Sequence, residues 1–236
     1  MIVARDLRKR FGAVEVLRGL DLRIARGRVT AIVGPNGAGK TTFIKSVLGL
    51  TRPDTGTLTF DGAEIGDDDA YRARIGYMPQ IARFPENLTG RELLDLLRDL
   101  RGGCPVNDRL VEPFGLQPEL DKKLRILSGG TRQKVNAVAA FLFSPELYVL
   151  DEPTAGLDPV ASGILKARIL SERADGRTVL LTSHIMSEID ELADDVIYLA
   201  DGQVRYSGAL TGLKVAMGQL NLERAVAELM LREAAA

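Results

Sequence analysis

The sequence holds a single cysteine, Cys104, which excludes an internal disulfide and any metal site built on several thiolates. Such scarcity fits a reducing compartment. Neither sign of charge is in excess: 31 Lys and Arg stand against 32 Asp and Glu, a net formal charge of -1, so nothing points to general nucleic-acid binding. Long apolar runs are missing too. The longest, such as Ala137 to Phe143, fall well short of the roughly 18 to 20 residues that cross a bilayer. Met1 leads straight into Ile2-Val3-Ala4-Arg5-Asp6 with no basic n-region or apolar h-region, so secretion is not expected. No internal repeat or low-complexity tract occurs, and His184 is the only histidine. The length of 236 residues allows one large α/β domain, or a core with a smaller inserted lobe, around a substantial interior.

What is present centres on one loop. Gly34-Pro35-Asn36-Gly37-Ala38-Gly39-Lys40-Thr41-Thr42 fits G-x-x-x-x-G-K-[ST], between an apolar run (Val29 to Val33) and a helix-compatible run (Thr41 to Leu50). Its glycines let backbone N–H groups curl round an anion, and the new helix adds positive potential. Lys40 is expected to reach the β- and γ-phosphates of a nucleoside triphosphate, and Thr41 to offer its hydroxyl to Mg2+. Downstream, the apolar strand Leu147 to Leu150 ends in Asp151-Glu152. In a doubly wound sheet that strand end shares the crevice with the phosphate loop. Asp151 is then the expected Mg2+ partner, and Glu152 the base that polarises the attacking water.

The rest of the chain frames this pair. Ile2 to Leu7, Val14 to Leu17 and Leu20 to Ile24 read as short strands of an antiparallel layer, with Gly12, Gly19 and Gly27 at the turns. Thr57 to Phe60 reads as a strand, Asp61-Gly62 as a hairpin turn and Arg74 to Met78 as a further strand. Between Gln80 and Leu127 the pattern becomes helical: Thr89 to Glu92 has capping-box spacing ahead of a leucine-rich helix stopped at Gly102-Gly103, and Asn107 to Phe114 suggests a shorter one. Thr178 to Thr182, Val196 to Leu199 and Val204 to Tyr206 read as strands, with a helix after Asp158-Pro159 and another near Met186 to Ala193. The tail from Leu220 to Ala235 reads as a helix with Leu222, Val226, Leu229 and Met230 on one face. It can pack on its own core, contact a partner or lie free.

Leu127-Ser128-Gly129-Gly130-Thr131-Arg132-Gln133 is a second small-residue loop opening a helix, a Ser N-cap whose N–H groups invite an anion. With the phosphate loop and Leu147 to Glu152, in that order and around a helical insert, it resembles the ATP-binding-cassette (ABC) ATPases. The resemblance covers residues 2 to about 206. It implies a P-loop NTPase (RecA-like) α/β core with an antiparallel β subdomain and an inserted α-helical subdomain. The core would be 1–84 and 144–206, the helical subdomain 85–143 and a C-terminal helical extension 207–236.

Residue by residue, the resemblance implies that Phe11 stacks on adenine where the family commonly has Tyr. Gln80 matches the loop that joins core to helical lobe and senses Mg2+. Ala155-Gly156-Leu157-Asp158 matches the D-loop, and His184 the switch histidine on the γ-phosphate. Thr131 stands where many members carry Gln. With one phosphate loop and one Ser-Gly-Gly loop, the chain needs a second ATPase subunit, so that Ser128, Gly129 and Gly130 complete the partner's ATP site. Lacking a membrane span, such a subunit would energise a separate membrane permease of export type from the cytoplasmic face. Ile81, Phe84 and Leu88 are candidates to line its docking groove. The stretch 79–85 also resembles the ATPase subunit of the transporter used in nitrous-oxide reductase maturation. Two other readings stay open: a soluble ABC ATPase acting on nucleic acid or the ribosome, and a P-loop kinase or GTPase with a small-molecule acceptor.

Overall fold

A computed structural model describes residues 1–66, 69–102 and 104–234. Gly103 of the Gly102-Gly103 helix stop and Ala235 of the expected tail helix lie outside the described residues. The chain opens with β1 (Ile2–Phe11) and β2 (Val14–Ile24). The sequence suggests two strands in place of β2, divided at Gly19; the structure has one. Leu7 faces Leu20 and Arg8 faces Arg18, so Gly19, at φ +78°, is the extra residue of a bulge and not a turn.

β3 (Val29–Val33) runs into α1 (Lys40–Val47). That helix is shorter than Thr41 to Leu50, because the chain turns out at Gly49, where φ is +68°. β4 (Thr55–Phe60) and β5 (Ala63–Glu64) form a hairpin whose Asp61 and Gly62 both have positive φ, as a type I′ turn requires. β6 (Ile75–Met78) precedes α2 (Gly90–Leu100), α3 (Gly129–Phe141) and β7 (Leu147–Asp151). Then follow α4 (Pro159–Ala174), β8 (Thr178–Thr182), α5 (Met186–Leu192), β9 (Asp195–Ala200), β10 (Gln203–Ala209), α6 (Leu210–Met217) and α7 (Leu222–Ala234).

One sheet has the order β2-β1-β4-β5 and is antiparallel. The other has the order β10-β9-β3-β8-β7-β6, parallel except for β10. β3, β7 and β8 are buried at every position, as strands covered on both faces must be. Their period-two alternation feeds two cores. Ile32, Leu147, Val149 and Leu180 point to Phe43 and Ile44 of α1 and to the antiparallel sheet. Ala31, Val33, Tyr148, Leu150 and Leu181 point to α3, α4 and α5 on the other face. The phosphate loop is thus anchored from both sides.

Between β6 and β7 the described residues contribute helices and turns. The Thr89 capping box is formed, its hydroxyl accepting from Glu92 N–H at 3.1 Å while Glu92 accepts from Thr89 N–H at 2.8 Å. The helix expected over Asn107 to Phe114 is absent; residues 109–115 form successive turns. Pro113 removes a backbone donor and biases Glu112 away from helical geometry. The apolar spacing there reflects burial of Leu110, Val111 and Phe114. At the tail, α6 is a helix for which the sequence gives no signal of its own, and α7 packs on α5 and α6 through Leu222, Ala225 and Val226. Met230 does not belong to that buried face: it is 46% exposed.

Charged groups fasten the two sheets together. Arg26 bonds Glu146 at 2.9 Å and Asp61 at 2.5 Å, while Arg74 bonds Glu146 at 2.7 and 2.9 Å and also pairs with Asp61. The Arg74 and Arg26 guanidiniums hold the Glu146 carboxyl down to about 2, against an ordinary 4.5. A depressed carboxylate stabilises the fold above its unfolded value and loses that contribution as pH falls through the folded one. The thermal midpoint is therefore expected to decline between pH 4.5 and about 2 more steeply in the native chain than in Glu146→Gln, modestly so because the pair is partly solvated. Differential scanning calorimetry across that window checks it.

Candidate functional site

A cavity of 410 Å3 opens at the carboxyl ends of β3, β7 and β8. Asn36, Gly37, Ala38, Gly39, Lys40, Thr41 and Thr42 line one side, and Gln80, Asp151, Glu152 and His184 the other. Four loops far apart in sequence therefore meet, because β3, β8, β7 and β6 are neighbours in one parallel sheet. Val16 of β2 also lines the cavity. Sequence reasoning missed it, since nothing separates it from the other alternating apolar residues of that strand.

The phosphate loop is held open by its glycines. Gly37 and Gly39 lie at φ +81° and +102°, and Gly39 is the N-cap of α1 with no side chain satisfying the first-turn N–H groups. Gly34 and Pro35, expected at the nucleotide, are not among the lining residues; their carbonyls accept from Lys40 Nζ at 2.6 and 3.0 Å. Burial lowers the Lys40 ammonium from its ordinary value, opposed by the nearby Glu152 and Asp151 carboxylates. The cavity thus presents a cation, helix N–H groups and the positive end of a helix, a set that binds a polyphosphate.

The acidic wall is equally constrained. Asp151 is buried, and its Oδ1 accepts from the Thr182 hydroxyl at 2.6 Å across β7 and β8. Glu152 has φ +52°, and its N–H is held by the Thr182 carbonyl at 3.2 Å and hydroxyl at 3.1 Å. Its Oε1 lies 2.7 Å from His184 Nε2, so the sole histidine and the second carboxylate form one unit. Such a non-glycine residue at positive φ is uncommon and marks a site whose geometry the surroundings impose. Among the described residues no cluster of three or more His, Cys, Asp or Glu could cage a metal by itself. Thr41, Gln80 and Asp151 instead offer oxygen donors around one cavity, which suits a hard cation such as Mg2+ that keeps waters and takes phosphate ligands.

A match to the family model described as ABC transporter runs from residue 17 to 155, more than half of the chain. The chain belongs to the ABC transporter family. This cassette is 39% identical to the daunorubicin resistance ATP-binding protein DrrA3 of Streptomyces coeruleorubidus, over 89% of this chain and 68% of that protein. It is 37% identical to the Nod factor export ATP-binding protein I of Ralstonia nicotianae, over 86% of this chain and 65% of that one. The matched region thus spans about two thirds of these relatives' length. A solved ATP-binding subunit of an ABC transporter superposes with TM-score 0.91 at 32% identity, covering 98% of this chain and 99% of that one. A dimeric bacterial ABC transporter cassette superposes with TM-score 0.80 at 25% identity, over 89% and 99%. The cassette is an ATP-binding subunit and an ATPase of that family, on a P-loop NTPase fold.

Not every expected site residue reaches the cavity. Phe11, 52% exposed at the end of β1, lies outside its lining, with Lys9 Nζ 5.4 Å from its ring centroid. Ser128, Gly129 and Gly130 open α3 elsewhere on the surface. The Ser128 hydroxyl caps that helix, accepting from Thr131 N–H at 3.1 Å, with the Thr131 hydroxyl 2.8 Å away. A second groove, 490 Å3 and more apolar, runs beside Gln80 between β6, α2 and α3; Pro79, Ile81, Phe84, Leu97 and Phe143 line it. Leu88, a further candidate, is not among the lining residues; it packs against the interior cluster, as Phe84 and Leu97 also do.

Proposed function

We propose that this cassette binds Mg-ATP as one half of a head-to-tail pair and drives an export permease in the membrane. The observation that carries the pairing is the separation of the two anion-binding helix starts: the phosphate loop has its cavity, whereas Ser128 to Gly130 sit outside it. Gly129 supports the same reading. It lies in α3 without a positive φ, and a Cβ there would meet nothing, so the chain's own fold does not require glycine. The bare backbone there leaves room for something that approaches from outside. Ile126, Val160 and Ile185, exposed by 66, 74 and 49%, flank the Ser128 loop, the D-loop and His184, apolar surface suited to burial by a second subunit.

Within each site Lys40 and the α1 N-terminus would hold the β- and γ-phosphates, and Phe11 would stack on adenine. Thr41, Gln80 and Asp151 would hold Mg2+, which neutralises charge on the phosphates. Glu152 would take the proton of the attacking water, oriented by its 2.7 Å bond to His184, which would also meet the γ-phosphate. Ser128, Gly129 and Gly130 would donate to the partner's nucleotide. We assign core 1–84 and 144–206, helical lobe 85–143 and extension 207–236.

The groove beside Gln80, with Ile81 69% exposed, is the surface we assign to a permease helix, and its coupling to ATP would run through Gln80. Among the described residues no helix is long and apolar enough to cross a membrane, so the permease would tether the cassette at the cytoplasmic face. The drug-resistance and Nod-factor relatives favour an exported organic molecule over the supply role suggested by residues 79–85.

The pairing is tested by complementation. Lys40→Ala disables a phosphate loop and Ser128→Arg blocks a donor loop, so each variant alone is expected to be inactive. Mixed in equal amounts, half of the pairs carry one intact site, restoring about a quarter of native turnover. A mixture as inactive as its components rejects the head-to-tail arrangement.

A further inference from the structure

The Glu152 loop is bonded through its N–H to Thr182, at the end of the strand that leads to His184, and α5 packs behind both segments. Glu188 of α5 accepts a hydrogen bond from the Thr154 hydroxyl at 2.6 Å, and the Ser183 hydroxyl lies 3.4 Å from the same Oε2. Thr154 is two residues beyond Glu152, and Ser183 immediately precedes His184. Both are 7% exposed. The Ser183 hydroxyl also accepts from Ile185 N–H at 3.0 Å, closing the turn on which His184 stands. α5 is itself immobilised, because Ile189 and Leu192 are buried in the interior cluster and α7 packs across the helix. A single carboxylate oxygen therefore ties the Glu152 loop to the His184 turn through a fixed helix.

We propose that Glu188 is a positioning residue for the catalytic pair: by gripping Thr154 and Ser183 together it sets the 2.7 Å contact between His184 and Glu152. It lies outside the cavity lining, behind the two catalytic side chains. This rests on the roles assigned above to Glu152 and His184. The physical reason is that a buried hydroxyl with a charge-assisted partner has one favourable position, whereas without it the loop can settle in several. Misplacing a base by about 1 Å costs turnover far more than it costs binding.

Because His184 is the only histidine, its ring signals in a heteronuclear NMR spectrum are unambiguous and report the Glu152 contact without any turnover. In Glu188→Ala those signals are expected to move toward their position in Glu152→Gln. Glu188→Gln, which keeps an acceptor for Thr154, should leave them near native. Thr154→Val removes one donor with little change of shape and should reproduce part of the shift if Glu188→Ala folds poorly. In kinetics, Glu188→Ala should lower kcat about tenfold or more with KM nearly unchanged, and adding it to His184→Ala should cost nothing further. Native ring signals in both Glu188→Ala and Thr154→Val, or losses that multiply in the double variant, overturn the proposal. If His184→Ala itself turns over normally while the ring signals still respond to Glu188, the assignment of His184 to catalysis fails and the clamp stands as a purely structural tie.

Discussion

Glu152→Gln is expected to lower kcat by about 10² to 10⁴-fold, the range a positioned general base contributes, equivalent to roughly 3 to 5 kcal/mol in the barrier. The side chain is held by His184 at 2.7 Å and its backbone by Thr182, so the amide should take the carboxylate's place without moving either loop. Nucleotide affinity should change little, since Lys40 and the first turn of α1 are untouched. With binding intact and hydrolysis stalled, the ATP-bound pair accumulates. Gel filtration with light scattering should show the variant as a dimer in Mg-ATP and a monomer without it, and the native chain returning to monomer as ATP is consumed. Unchanged turnover would remove Glu152 from the reaction. Stalled turnover in a chain that binds ATP and stays monomeric would instead reject pairing between identical subunits.

Gly34→Ala is expected to be among the most damaging single-methyl additions in the molecule. A Cβ at Gly34 would lie 2.0 Å from the Leu199 carbonyl oxygen, and the residue sits at φ +149°. Neither partner can retreat. β9 is locked to β3 by Ala31 opposite Val196 and Val33 opposite Tyr198, and Leu199 is fully buried. The loss should be about 4 kcal/mol or more, the size reserved for overpacking that cannot relax. For a chain of this length it corresponds to a fall in thermal midpoint of about 10 °C or more. Gly37→Ala is the control: a Cβ there meets nothing within 4 Å, so only the φ of +81° is penalised, at about 1 to 2 kcal/mol. Equal melting temperatures for the two variants would show that β9 does not confine the loop.

The expectations that held from sequence were those in which local chemistry and spacing are themselves the signal. The Thr89 capping box, the Asp61-Gly62 turn and the Asp158-Pro159 helix start all formed as read, because each is satisfied by residues within four positions of one another. The misreadings share a cause. At Gly19 glycine's tolerance of positive φ suggests a turn, but β1 continues the ladder and absorbs the residue as a bulge. Over 107–114 the sequence suggests a short helix, but Pro113 removes a donor and the interior buries Leu110, Val111 and Phe114 on successive turns instead. Met230 shows the same limit: periodicity puts it on the apolar face of the tail helix with Leu222 and Val226, but it does not say what covers that face, and Met230 stays 46% exposed.

By itself the sequence determined the chemistry: the phosphate loop, the two carboxylates after an apolar strand, the lone histidine and a second helix-opening glycine pair. Those depend on backbone freedom and side-chain type, which the residues carry wherever they lie. Tertiary structure alone decided who meets whom. The order β3-β8-β7-β6 brings Lys40, His184, Glu152 and Gln80 to one cavity and leaves Ser128 outside it. The tie from Glu188 to Thr154 spans 34 positions and passes between a loop and a helix, a contact fixed by how α5 packs on the sheet and by nothing local in either segment.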